Sequence, residues 1–202
     1  MNKFEKVLLE NYYTEKQFKK IQTMKLGIAG AGGLGSNIAH ILVRSGFKYF
    51  EIIDFDKVEL SNCNRQLYFL DDIGKIKVEC LKKNLLTINP NIKMSVKKVR
   101  LTSENTCDLF KDTELLFEAF DNVTSKKLIF EQYGNTDRII IAASGIAGYK
   151  YNDDIKIRKI NKKHFIVGDE KTGVTTKTPP LAPKVHICAA IMASIALEIA
   201  CE

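Results

Sequence analysis

Met24-Lys25-Leu26-Gly27-Ile28-Ala29-Gly30-Ala31-Gly32-Gly33-Leu34-Gly35-Ser36 is the stretch that decides the fold. A short apolar run passes into a glycine cluster, and an apolar helix-forming segment follows from Ser36 to Ser45. Strand, glycine turn and helix in that order let backbone amides and a helix N-terminus approach a phosphate closely. A second β-type run, Tyr49 to Ile53, ends on Asp54 and completes a βαβ unit, and an acid at that position can accept hydrogen bonds from a ribose. Gly30-x-Gly32-x-x-Gly35 alone specifies only a nucleotide. A nicotinamide-dependent dehydrogenase carries the same pattern, and a tight turn without a ligand is the plainest alternative.

Outward from this unit the alternation continues. A polar stretch covers Asp56 to Asp72, a helix is expected from Ile76 to Thr87 and a strand from Lys93 to Val99. Further on come a helix over Glu104 to Phe110, a strand over Leu115 to Ala119, a helix over Ser125 to Tyr133 and a β-branched strand over Arg138 to Ala143. The fold class is α/β, Rossmann-like, with a mainly parallel sheet and helices on both faces. Weak alternation over Tyr151 to Val167 predicts an antiparallel extension near the C-terminus. Gly168 to Pro180 reads as an exposed, mobile crossover loop, and an apolar helix from Val185 to Ala200 ends the chain, packed on the sheet or on a second subunit. Before the unit, Phe4, Val7, Leu8, Tyr12, Phe18 and Ile21 mark one or two amphipathic helices with a break near Tyr13-Thr14. The expected division is residues 1–23 as a helical arm or lid and 24–202 as the nucleotide-binding domain.

The 202 residues, 45% hydrophobic and 27% charged, suffice for one core. No run of about 18 apolar residues and no basic-then-apolar start is present, so the expectation is a cytoplasmic protein without a membrane role. Cys63, Cys80, Cys107, Cys188 and Cys201 are scattered and never in Cys-x-x-Cys spacing, which predicts reduced, mostly buried thiols and no zinc. The net charge of +7 suits a nucleotide triphosphate or an acidic protein. The lysines at 3, 6, 16, 19, 20 and 25 lack aromatic interleaving, which does not favour nucleic acid. His40, His164 and His186 are unclustered and read as structural or solvated.

The segment after Asp54 narrows the choice. Asp54-Phe55-Asp56-Lys57-Val58-Glu59-Leu60-Ser61-Asn62-Cys63-Asn64-Arg65-Gln66 places carboxylates, an amide and a guanidinium where a dehydrogenase would begin its next helix. Together with Gly30 to Ser36 it resembles the signature of the ubiquitin-activating-enzyme-like superfamily, whose bacterial members include ThiF and MoeB. The resemblance implies adenylation by Mg-ATP: Gly30, Gly32, Gly33 and Gly35 in the phosphate loop, Asp54 on the ribose, Asp56 in the ATP site, and Asn62 and Arg65 on the triphosphate. Lys77 is implied as the lysine that neutralises phosphate charge, with Lys75 as its competitor. Asp121 of the Asp121-Asn122 pair is implied as the magnesium ligand, giving Arg65, Lys77 and Asp121 as the catalytic set. Leu181-Ala182-Pro183-Lys184-Val185 resembles the family's Gly-Pro-Val segment.

Two features depart from the family's pattern. No arginine precedes Arg44, so the family's N-terminal arginine finger is missing, and Thr172 to Pro180 holds no cysteine for a covalent intermediate. In its compact size, absent zinc motif and absent loop cysteine the chain most resembles the short ThiF-like adenylyltransferases of thiamine biosynthesis. They imply a homodimer, a small ThiS-like β-grasp sulfur carrier whose terminal glycine carboxylate is adenylated, and a persulfide as sulfur donor. A related enzyme acting on another carrier, a peptide or tRNA, or a silent ATP-binding scaffold, is the alternative.

Overall fold

Side chains alternate along the central strands between two apolar clusters, and this dictates a sheet covered on both faces. The computed structural model describes residues 1–150 and 152–202. Its strands are β1 (Lys25–Ala29), β2 (Tyr49–Ile53), β3 (Lys93–Lys97), β4 (Leu115–Glu118), β5 (Ile139–Ala143), β6 (Lys156–Lys159) and β7 (His164–Gly168). They form one sheet in the order β3-β2-β1-β4-β5-β7-β6. Every pairing is parallel except β6 with β7. The expected antiparallel extension is therefore present, and β7 also continues the parallel sheet beside β5. Tyr151, the start of the stretch read as that extension, lies outside the described residues.

The helices are α1 (Lys3–Asn11), α2 (Glu15–Thr23), α3 (Gly33–Arg44), α4 (Lys77–Leu86), α5 (Val123–Tyr133) and α6 (Ala182–Cys201). On one face Leu26, Ile28, Ile52, Leu115, Phe117 and Ile141 join α3, α4 and α6 in the larger cluster. Their neighbours Ala29, Ile53, Leu116 and Ile140 point the other way, toward Ile129 and Tyr133 of α5 and Leu101, Leu109 and Phe110. By length and hydropathy α6 could cross a bilayer, but half of that window is buried within the protein.

Helices of nine residues are marginal alone, and α1 and α2 are held by docking. The break between them falls at Thr14, whose side chain caps α2 in a capping box with Gln17. Leu8, Phe18 and Ile21 are buried, each worth about 1.5–3 kcal/mol. The Tyr13 hydroxyl donates to Ser45 O and Gln22 Nε2 to Gly46 O, so the arm packs at the end of α3 opposite the glycine loop. It is no lid over the chain's own nucleotide loop.

Two expectations need correction. Residues 103–110 form successive turns, not a helix. Asn105 Oδ1 accepts from Thr102 N, the Thr106 hydroxyl donates to Thr102 O, and the Tyr133 hydroxyl donates to the carbonyls of Thr106 and Leu109. Thr106 N and Leu109 N still donate to Thr102 O and Asn105 O, but the carbonyls of Thr106 and Leu109 face the Tyr133 hydroxyl and Phe110 has φ +63°, so the turns do not continue as a helix. Among the cysteines only Cys80 and Cys188 are buried, while Cys107 is exposed because its segment lies in these surface turns.

Candidate active site

The strand order reverses between β1 and β4, which opens a crevice at their C-terminal ends, the usual ligand position in such sheets. The glycine loop follows β1, and Asp121 follows β4 on the other side of that crevice. Gly30 has φ +107°, and Gly35 lies so close to the turn that an added Cβ would sit 1.9 Å from Gly30 O. Only glycine permits this approach. Gly32 caps α3 without a side-chain bond and Gly33 begins the helix, so the α3 N-terminus keeps its amides unclaimed by a capping side chain. On the open side of Gly32 the nearest atom to an added Cβ would be Gln66 Nε2 at 3.9 Å.

Asp54 directly follows β2 and is buried. Its carboxylate accepts from Ala31 N at 2.7 Å and from Asp56 N at 2.8 Å, which ties the glycine loop to the next strand. Burial pushes its pKa up, while those two amides and Lys77 oppose the rise. Each carboxylate oxygen retains a further lone pair for a ribose hydroxyl.

Lys77 is the first residue of α4, and its Nζ lies 3.0 Å from Asp56 Oδ2. The lysine side chain is 8% exposed and the aspartate 46% exposed, so the pair opens on one side to solvent. Lys75, by contrast, is exposed and lines a surface pocket with Lys57, Asp72 and Lys83. Of the two candidate lysines, only Lys77 meets an acid of the Asp54–Gln66 string.

Arg65 is half-buried. Its Nη1 donates to Ser61 O and to Asn64 Oδ1, and its stem runs alongside Gly33. Burial lowers its pKa and the Asp121 carboxylate opposes that, so the two groups stand within electrostatic reach although 56 positions separate them in sequence. Asp121 is exposed, and among the described residues its carboxylate accepts no hydrogen bond. Beside it, buried Glu118 accepts from Phe120 N and Lys126 Nζ. Asn122 caps α5 through Ser125 N. Asn62 is buried and engaged within its own turn, where Oδ1 accepts from Glu59 N. It supports the turn that presents Arg65.

An exposed carboxylate at a strand end suits magnesium, which keeps several waters and takes one or two protein carboxylates plus substrate phosphates. Among the described residues no three His, Cys, Asp or Glu side chains gather as a metal-holding group. Burial pushes the Cys188 thiol up to about 11, leaving it a poor nucleophile at neutral pH.

Several residues of this region escape a reading by motif alone. Gln66 Oε1 is buried without a partner, and Tyr68 donates to Ala31 O beneath the glycine loop. Asn37 Nδ2 bridges Gly33 O and Arg65 O, fixing the arginine's backbone to α3. Asn64 Nδ2 donates to Pro180 O, which brings the crossover loop to Arg65's neighbour. Asn64 and Gln66 were visible inside the quoted string; Asn37 and Tyr68 carry no signal beyond polarity.

The chain is 33% identical over 176 residues to SUMO-activating enzyme subunit 2 of Dictyostelium discoideum, covering 84% of this chain and 26% of that protein. It is 33% identical over 112 residues to the sulfur carrier protein adenylyltransferase of Thermus thermophilus, covering 55% of this chain and 41% of that one. The chain thus spans well under half the length of these curated relatives. The solved E. coli tRNA N6-threonylcarbamoyladenosine dehydratase in complex with AMP superposes with a TM-score of 0.84 at 20% identity, over 93% of this chain and 90% of that one. At that identity the likeness shows the fold. With the ThiF family profile matching residues 5–201, this chain belongs to the ThiF family.

Proposed function

We propose that this chain uses Mg-ATP to adenylate the C-terminal glycine carboxylate of a small ThiS-like β-grasp sulfur carrier, releasing pyrophosphate, as a step of thiamine (thiazole) biosynthesis. The observation that carries the reading is that Asp54 bonds the glycine loop, the Arg65 stem lies against Gly33 at the start of α3, and Lys77 pairs with Asp56 of the same string, with Asp121 following β4 across the reversal point of the sheet. A dehydrogenase needs no such pair of cations. The relative named as a sulfur carrier protein adenylyltransferase supports the choice of acceptor.

In this reading a carboxylate oxygen attacks the α-phosphorus, a P–O bond forms, and the bond to the β-phosphate oxygen breaks as pyrophosphate leaves with the electron pair. The attacking group is already ionised at neutral pH and needs no base. The chain's contribution is position and charge. Gly30 to Gly35 bring amides to the phosphates, and Asp54 holds the ribose. Arg65 and Lys77 neutralise the phosphoryl oxygens, Lys77 by exchanging its hold on Asp56 for one on the nucleotide. Asp121 is the residue for magnesium, which when bound supplies further neutralisation of the triphosphate. A homodimer and a persulfide sulfur donor belong to the same reading.

A second acceptor, a carboxylate on a modified tRNA base, is favoured by the likeness to the tRNA dehydratase over nearly its full length and by the net charge of +7. ATP–pyrophosphate exchange separates the two. Purified protein with Mg²⁺ is mixed with intact carrier, with carrier lacking its terminal glycine, or with tRNA. Exchange with intact carrier alone is the expected result. Exchange that requires tRNA, or that persists with the truncated carrier, would overturn the carrier reading.

A further inference from the structure

Helix α6 is apolar along most of its length, yet Lys184 in its first turn is fully buried. Its Nζ donates to Asp169 Oδ2 at 2.6 Å, Ala147 O at 3.1 Å and Lys150 O at 3.3 Å, with the Thr172 hydroxyl at 3.4 Å. Three segments meet on one amine: the run after β5, the start of the crossover loop after β7, and α6. All three lie at the ligand end of the sheet.

The carboxylate is held as firmly. Asp169 accepts from Lys171 N and Thr172 N at 2.8 Å and from the Thr172 hydroxyl at 2.9 Å, so the first residues of the loop wrap around it. At Gly145, φ +76°, an added Cβ would lie 2.0 Å from Asp169 Oδ1. Beyond Thr172 the loop is exposed until its far end, where Gly148 N donates to Pro179 O and Asn64 Nδ2 to Pro180 O. Asn64 Oδ1 in turn accepts from Arg65. The chain of contacts runs from the buried pair, along the loop, to the guanidinium of the candidate site.

A buried ion pair is weak evidence for stability, because well-packed apolar residues of similar volume usually do as well. Its distinctive property is that it fixes one arrangement of the groups it joins. We propose that Lys184 and Asp169 are positioning residues that latch the crossover loop in its place beside Asn64 and Arg65, so that they govern engagement of the acceptor's tail without touching ATP. The acceptor half of this statement rests on the carrier reading above.

The test uses the full chain as wild type, Asp169→Asn, Lys184→Met and the double variant, in which no unpaired charge is left buried. Trypsin cleavage after Lys171 and Lys177 reads the loop directly, beside thermal melts that establish folding. Pyrophosphate exchange gives KM for a ThiS-like carrier and for ATP separately. In each folded variant the expected result is cleavage at these two sites faster by roughly tenfold and a carrier KM raised by roughly tenfold, with the ATP KM unchanged. Unchanged cleavage in folded variants overturns the latch. An unchanged carrier KM, or an ATP KM that rises in step with it, overturns the positioning role. Absence of exchange in the wild type would sink the carrier reading, and the cleavage rates would still decide the latch.

Discussion

Two buried lysines in this protein each meet an aspartate, and they are built for different work. Lys77 lies 3.0 Å from an Asp56 that is nearly half exposed, whereas Lys184 lies 2.6 Å from an Asp169 that is 1% exposed. Lys77 has one carboxylate partner at the mouth of a crevice, so a phosphate can replace it. Lys184 has four acceptors from two segments and is itself fully buried, so a ligand has no free access to its charge. The number of partners and the access of solvent separate a charge that can change hands from one that holds a loop.

The sharpest way to break this comparison is to remove each lysine in turn. Lys184→Met should destabilise the fold by about 3–5 kcal/mol in urea unfolding, because Asp169 is left charged and buried. A loss under about 1 kcal/mol would show that water reaches Asp169. Lys77→Met should act on rate, lowering pyrophosphate exchange by roughly 10²–10³-fold while the melting temperature stays within a few degrees, since Asp56 can be solvated. Arg65→Ala and Asp121→Ala should likewise abolish exchange and leave the fold intact; full activity in either folded variant would remove it from the site.

Acid titration sharpens the same contrast at a smaller scale. Burial alone would raise Asp169, but the bonds from Lys184, Thr172 and Lys171 outweigh it and hold the carboxyl well below the 3.8 of an unperturbed aspartate. The unfolded chain therefore takes up a proton near pH 3.8 while the folded chain does not, so the stabilisation is complete above that pH and erodes as pH falls below it. The stability gap between wild type and Asp169→Asn should be constant from pH 7 to 5 and narrow below pH 3.8; a gap that widens there would reverse the assignment. The smallest effect expected is at the far end of the molecule. Glu5 is fully buried beside Asn2, Asn89, Asn91 and Lys48, and Glu5→Gln should cost about 1–2 kcal/mol in the same unfolding assay without altering exchange. Altered exchange would mean that the arm communicates with the site.

The β-rich elements around the glycine loop were legible because their periodicity and their breakers are local. Tyr49 to Ile53 was bounded to the residue, and Thr14 marked the break between α1 and α2 through its own capping bonds. The segment 103–110 was misread as a helix because two features that mark it as turns, the Tyr133 hydroxyl at the carbonyls of Thr106 and Leu109 and the left-handed backbone of Phe110, depend on tertiary packing that its own residues do not announce. Lys184 looked like part of a helix start, and only the folding of Asp169 beneath it made the charge a hub. Likewise, Asp121 and Arg65 were each visible, but their mutual reach was not.

By itself the sequence determined the strand–loop–helix–strand order around the nucleotide loop, the glycine loop and the Asp54–Gln66 string, since these depend on neighbours within a few residues and on the chain's own periodicity. The tertiary structure alone decided that Lys77 rather than Lys75 meets Asp56 and that the arm sits behind α3 instead of over the nucleotide loop. It also decided that the crossover loop is pinned at both ends. Each of these turns on which distant side chains share a low-dielectric space, and a charge buried there has to find its partner wherever the fold has put one.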